Sequence, residues 1–390
     1  MNDAINSNTL NNPAAGSVSR RPRSIITVNG LQAQGVIEWE VDNNIHYFAD
    51  AFRIELSLSR QPAYMDWSWW GLQTVFTVEV FVGFPKDPTN YSQDELLSLI
   101  IGDVDEIDID PIGDRIILNG RDFTARFVET QTTRKWPNQF SATGDFARPG
   151  IVEILAKSHN MLVDSYHTSD RVGSFYKEEI VRITDTRSEW DLLTFLASEE
   201  GAEVFVRGNT LVFRQPVQTP GKPYVIQWTP PDQVSASPLS NAARIHLTRD
   251  LTLARDVIVF VRSWSQGQKA PITVKRQASH KRTSSISPRA SPIGAVQTYF
   301  KTVQNKTRQQ CLNIAQAWLA DLTSLERRLR AEMPGDNLLS VDNPLQLTGT
   351  GTDFDAFYHV VSVVRSFSFE DGYTMKLEAK NHPAESEVVL

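Results

Sequence analysis

The sequence predicts a mainly β protein in which two β-rich regions flank a small α+β insert. Runs of apolar residues at a spacing of two recur early and late in the chain, as in Phe52, Ile54, Leu56 and Leu58 set against Arg53, Glu55 and Ser57. Between those regions, over residues 146–225, the pattern turns to helical spacing and back within a short distance. The 390-residue chain is 41% apolar and 22% charged, and its nine Trp and nineteen Phe are enough to fill more than one core.

Residues 1–24 are rich in Asn, Ser, Ala and Arg, lack periodicity and read as a flexible arm. Strands are expected over 36–41, 51–58 and 75–82. They lead to the organising stretch of the chain, Leu99–Phe127, which reads as one long hairpin. Its outgoing strand presents an acidic face of Asp103, Asp105, Glu106, Asp108 and Asp110. Asp110-Pro111-Ile112-Gly113 supplies the turn, because Pro fixes φ and Gly admits a positive φ. The return strand runs from Arg115 to Arg121. Ahead of the hairpin lies an aromatic cluster, Trp67, Trp69 and Trp70. It reads either as a buried plug or as an anchor for a partner or a carbohydrate.

After Thr130 the pattern breaks into loop. Helices are expected over 151–158 and 189–199, the second with Ser188 as N-cap and Gly201 as its stop. Strands 203–207 and 210–214 follow, joined by Gly208-Asn209. Pro230-Pro231 and the Ser-Ala-Ser-Pro segment at 235–238 mark a linker. Strands are then expected over 255–264, 297–303, 325–333, 344–347, 357–369 and 373–380, with Glu370-Asp371-Gly372 turning the last pair. A helix over 306–322 puts Cys311, Ala315, Trp318, Leu319 and Leu322 on one face, which makes Cys311 a small core residue rather than a nucleophile. The basic, Ser-rich stretch 274–292 reads as a mobile loop and a candidate contact through Lys275, Arg276, Lys281, Arg282 and Arg289.

The net charge of −7 argues against wholesale nucleic-acid binding. That average hides an asymmetry. Residues 91–130 carry ten acids against three bases, and residues 257–320 carry ten bases and no acid. A single cysteine excludes an internal disulfide and fits a reducing compartment. No apolar run approaches the ~18 residues of a membrane span, and the first residues lack the pattern of a signal peptide. The Gly349-Thr350-Gly351 pair has no third glycine and precedes strand-type sequence, so it is no dinucleotide loop. Nucleophile-elbow, P-loop and zincin motifs are missing. The acidic hairpin lacks the calcium-loop pattern, and His159 and His167 around Asp164 are a weak metal motif. Acidic pairs abound, but none is singled out for glycoside chemistry. The residues therefore point to no catalytic, cofactor or metal site.

The strings ADAFRIELSL (49–58), TVEVFVGFP (77–85), IIGDVDEIDIDP (100–111) and ILNGRDFTARF (117–127) resemble the baseplate hub proteins of contractile-tailed phages, including the late control gene D protein family. The resemblance continues in WDLLTFLASEEG (190–201), in LVF (211–213) and in the stretch 347–381. It spans residues 25–381 and rests on the order and spacing of these strings. The Asn-rich arm, the tryptophan segment and the basic loop depart from it. The resemblance implies two tube-type antiparallel β-barrels, over 25–145 and 230–390, flanking the α+β insert at 146–229. It also implies a non-enzymatic homotrimer that matches a hexameric tail tube on one side and a trimeric spike on the other. The implied partners are the spike, a tube or tube-initiator protein, the tape measure protein and baseplate wedge proteins, with transient passage of DNA and no stable membrane association. The implied location is the virion tail, after assembly in the host cytoplasm.

Two other classes stand beside this one. A tail-associated hydrolase of cell-wall glycan would use the tryptophans as a sugar platform, beside two carboxylates ~5–10 Å apart. A spike base of a contractile secretion system would share the fold. For the acidic face two roles are expected: lining a lumen that repels DNA phosphate, or pairing with the basic region of a neighbouring subunit.

Overall fold

The computed structural model describes residues 5–6, 21–45, 47–134, 136, 139–142, 149–166, 171–172, 187–200, 202–215, 222–231, 237–250, 257–264, 270–279, 297–304, 306–323, 327–381 and 387–388. Most of the arm expected at 1–24 lies outside them, as do Lys281, Arg282, Arg289 and His167.

The first module has six main strands: β1 (Arg23–Val28), β2 (Val36–Asn44), β3 (Ala51–Ser57), β4 (Thr77–Gly83), β5 (Leu97–Asp110) and β6 (Arg115–Asp122). They pair antiparallel in the order β2-β3-β6-β5-β4-β1. Period-two patterning gives the sheet one buried face. Ile26, Trp39, Val41, Ile54, Leu56, Val80 and Leu118 all point to one side and are buried together. Gly102 and Gly120 are required where β5 and β6 press together. A Cβ on Gly102 would sit 2.0 Å from the Arg121 carbonyl oxygen, and one on Gly120 would sit 2.3 Å from that of Asp103.

Helix α1 (Trp67–Leu72) covers this core, with the Asp66 carboxylate accepting from the Trp69 amide at 2.8 Å. The end of the stretch expected as hairpin is helical instead, α2 (Thr124–Glu129). Asp122 breaks the strand there, because its carboxylate accepts from both the amide (3.2 Å) and the hydroxyl (3.0 Å) of Thr124.

The insert comprises α3 (Ile151–Ser158), β7 (Leu162–Ser165), α4 (Glu189–Glu200), β8 (Glu203–Arg207) and β9 (Thr210–Arg214). Ser188 Oγ accepts from the Asp191 amide at 3.0 Å, the cap expected from sequence. Phe127 of α2, Leu155, Leu193 and Phe213 share its core.

The second β module opens with β10 (Tyr224–Thr229) and β11 (Arg244–Arg249). The chain then leaves it for β12 (Val257–Trp264), β13 (Ile272–Ser279), β14 (Gln297–Gln304) and α5 (Arg308–Thr323). These strands make a separate sheet with its own core of Val259, Val261, Cys311, Ala315 and Leu319. They fall within residues 230–390, the stretch expected as the second β-barrel, but pair in a sheet apart from it. Lys275 and Arg276, expected in a loop, lie in β13, whose apolar Val274 faces the side-sheet core. The module resumes with β15 (Arg327–Pro334), β16 (Pro344–Thr348), β17 (Phe357–Ser368) and β18 (Gly372–Asn381).

The strand order of the second module is β11-β15-β18-β17-β16-β10. Ranked by position in their own module, both β modules read second-third-sixth-fifth-fourth-first. They differ in one pairing: the first and fourth strands run antiparallel in the first module (β1 with β4) and parallel in the second (β10 with β16). The fifth strand of each carries a bulge, at Asp105 in β5 and at Val361 in β17. β2 also pairs antiparallel with the second half of β17, Asn44 opposite Ser362 through Glu38 opposite Ser368, so both modules belong to one 15-stranded sheet.

Candidate assembly surfaces

Strict alternation would divide the five hairpin acids between two faces. The bulge at Asp105 prevents this. Val104, Ile107 and Ile109 all stay on the core side, while Asp103, Glu106, Asp108 and Asp110 stay on the other. The face is not uniformly available. Arg126 of α2 binds Asp103 through two bonds (2.6 and 3.0 Å), and Arg121 binds Asp105 (2.6 and 2.8 Å) and Glu129 (2.6 Å). Asp110 caps its own turn, accepting from the amides of Ile112 and Gly113. Glu106 and Asp108 are exposed, with no cation of the described residues in salt-bridge range.

The three tryptophans have separate fates. Trp70 is 1% exposed and stacks on Phe76 at 5.6 Å. Trp69 packs edge-on to it at 4.8 Å, and Trp67 is 55% exposed. Two of the three therefore plug the first core, so they form no shared platform. His159 belongs to the insert core: its Nε2 lies 2.6 Å from the Glu189 carboxylate and its ring meets Phe127 edge-on. Among the described residues no group of three His, Cys, Asp or Glu side chains is placed to hold a metal ion.

Sequence reasoning missed the junction where the three modules meet. A cleft of about 410 Å³ is lined there by Asn43, Asp50 and Asp122 of the first module, Val206 of the insert, and Leu339 and Arg365 of the second. Arg365 is buried and donates to the carbonyls of Asp336 (2.8 Å) and Leu339 and to Asn43 Oδ1 (3.3 Å). Tyr373 of β18 joins the first core beside Trp39. Tyr47, held at φ +81°, ties in the insert through Tyr47 Oη to the Ala202 carbonyl (2.7 Å) and Trp190 Nε1 to the Tyr47 carbonyl (3.0 Å).

Burial pushes the Asp50 carboxyl up to about 6, against hydrogen bonds from the Asn44 amide and the Asn43 side chain and with help from the charge of Asp42. Asp122 is raised well above the ordinary carboxylate range, first by burial and then by the charge of Asp50. No signal in the sequence separates these two acids from the many exposed ones. The cleft is lined by no residue of the tryptophan segment.

The fold is that of phage tail proteins. The tail protein from Neisseria meningitidis is similar over 92% of this chain and 96% of its own, at 14% identity and a TM-score of 0.63. The 43 kDa tail protein of prophage MuSo2 from Shewanella oneidensis is similar over 94% of this chain and all of its own, at 13% identity and a TM-score of 0.59. A Francisella PdpA-VgrG complex gives a TM-score of 0.51 at 9% identity, over 98% of this chain and 62% of that one. Comparison with protein-family models gives no match, nor does comparison with curated proteins.

Proposed function

We propose that the protein is the structural hub of a phage tail baseplate. In this reading it is a homotrimeric ring that joins a hexameric tail tube to a trimeric central spike and forms part of the DNA conduit. The observation that carries the reading is the shared strand order of the two β modules. One chain then offers two equivalent units, and three chains offer six. The tail proteins that share the fold support the setting. The partners in this reading are those the resemblance implies: tube or tube-initiator protein and tape measure protein on one side, spike on the other, wedge proteins around it. The role is structural rather than enzymatic, and the place is the virion tail.

Sedimentation of the purified chain, alone and with a candidate spike, tests this. The expected mass is about 132 kDa, three times the chain's 43.9 kDa, with spike bound at one trimer per ring. A chain that stays monomeric in both conditions overturns the reading. The likeness to a VgrG-containing complex favours a second reading, the spike base of a contractile secretion system. Capsid genes alongside this one would favour the first.

A further inference from the structure

The side sheet of β12, β13 and β14 is packed on one face. Val257, Val259 and Val261 of β12, Val274 of β13 and Tyr299 of β14 lie in one core with Cys311, Ala315 and Leu319 of α5. The intervening residues share the other face. The register sets them in rows. Lys275, Phe260 and Phe300 stand side by side across the three strands, and Thr273, Arg262 and Thr302 make the next row. Trp264 follows opposite Gln304.

This second face is aromatic and cationic. Phe300 is 72% exposed and Trp264 53%, and the Phe260 and Phe300 rings stack at 5.1 Å with 10° between their planes. Arg262 and Lys275 flank the rings and are exposed. Residues 257–320 carry ten bases and no acid, the reverse of the chain's net charge of −7. Single apolar side chains on a surface are ordinary, but two exposed rings and a half-buried third on one sheet face are a patch. A cross-strand Phe pair stabilises a sheet on its own account. That role leaves Trp264, Arg262 and Lys275 without a reason to share the face.

Size decides between occupants. Three strands ~4.8 Å apart, of eight residues each at ~3.3 Å, make a face of roughly 26 by 14 Å, or about 360 Å². A globular partner covers about 800 Å², so this face suits a linear polymer. Charge complementarity makes that polymer an anion, and the rings select one whose repeating unit carries a flat π-face. We propose that the open face of the side sheet binds single-stranded nucleic acid. Bases stack on the Phe260–Phe300 pair and on Trp264. Phe260 and Trp264 are four strand positions apart, ~13 Å, with Arg262 between them to meet a phosphate. A duplex hides its base faces, so the contact requires an unpaired strand. Every base has a π-face, so the binding is tolerant of sequence. The proposal goes beyond the ring reading and does not depend on it.

Fluorescence anisotropy of a labelled oligothymidylate of about 20 nucleotides, longer than the ~4–16 that one such site covers, tests this on the full chain. Saturable binding is expected at ~50 mM salt. Phe300→Ala is expected to weaken it about 5-fold to 150-fold, and Phe300→Tyr to keep it within ~2-fold. Arg262→Gln is expected to lower the slope of log affinity against log salt by about 0.7. Should Phe300→Ala disturb the sheet, Trp264→Ala reads the other end of the same face, with an expected loss in the same range. No binding up to about 100 μM chain, the weak end of non-specific affinity, overturns the proposal. Binding that Phe300→Ala and Trp264→Ala both leave unchanged also overturns it. So does a duplex bound more tightly than the single strand. Poly-L-glutamate of equal charge is the last control. If it displaces the labelled strand as well as unlabelled oligothymidylate does, the face takes an acidic protein segment and the proposal fails. The ring reading is decided by sedimentation and by none of these results.

Discussion

Asp50→Asn probes the junction of the three modules. The Asp50 carboxyl is held near 6 against an ordinary value of 3.8. Its folded-state pKa is raised, so between those values the folded chain binds more protons than the unfolded one. Stability then falls as pH rises through that window. A shift of about two units corresponds to roughly 3 kcal/mol lost between pH ~4 and pH ~6.5. Asp122 adds a loss of the same sign. Replacing Asp50 with Asn removes its own share and relieves Asp122 of a neighbouring charge. The cost is about 1 kcal/mol for the 2.8 Å bond that Asn43 Nδ2 gives to the carboxylate. Above pH 7 the variant is expected to be more stable than the wild type by roughly 1–2 kcal/mol, with a flatter profile. Below pH ~4 both proteins lose stability together, because Asp114, lowered by hydrogen bonds from Ser57 and Ser59, and Asp355, lowered against its burial by hydrogen bonds from Thr350 and Gly351, must then take up protons. Urea titrations followed by tryptophan fluorescence at half-unit pH steps measure this. A wild-type profile that is level or rising from pH 4 to 6.5, or a variant with the wild-type slope, refutes the reasoning.

Trp70→Ala is expected to cost ~3–5 kcal/mol, because it empties a fully buried ring site against Phe76, whereas Trp67→Ala changes stability by less than ~0.5 kcal/mol; denaturant midpoints of the pair measure the contrast. Equal effects would contradict the plug. Arg365→Met is expected to cost ~2–4 kcal/mol by taking the guanidinium away from the Leu339 carbonyl and leaving the Asp336 carbonyl with the Tyr373 hydroxyl alone, and to raise exchange of the 336–341 segment first. Arg126→Ala is expected to lower stability by only ~1 kcal/mol, since the Asp103 pair is partly solvated, and to leave the sedimenting mass unchanged.

Strands with clean alternation were legible because burial on one face imposes the pattern directly, as in β3 and β18. Helix α3 is legible to the residue, since Ile151, Ile154 and Leu155 at helical spacing mark its face; the Glu153 carboxylate that accepts from the Gly150 amide is a structural finding. What escaped depended on contacts remote in sequence. Only the tertiary fold decides that the strand ends at Asp122, whose carboxylate takes the Thr124 amide and hydroxyl, or that β12–β14 pair among themselves. The basic and Ser-rich composition around Lys275, Arg276 and Ser279 points to a loop, whereas Ile272 and Val274, packed into the core under α5, seat a strand there. The likeness of the two β modules is likewise written in pairing order, with no repeated motif in the residues.

Imaging of single particles of the purified, self-associated chain tests the central claim most directly. The account expects rings with threefold symmetry whose wall resolves into six near-identical β densities, two from each subunit. A ring of any other order, or a threefold ring whose two β densities per subunit cannot be superposed, contradicts it.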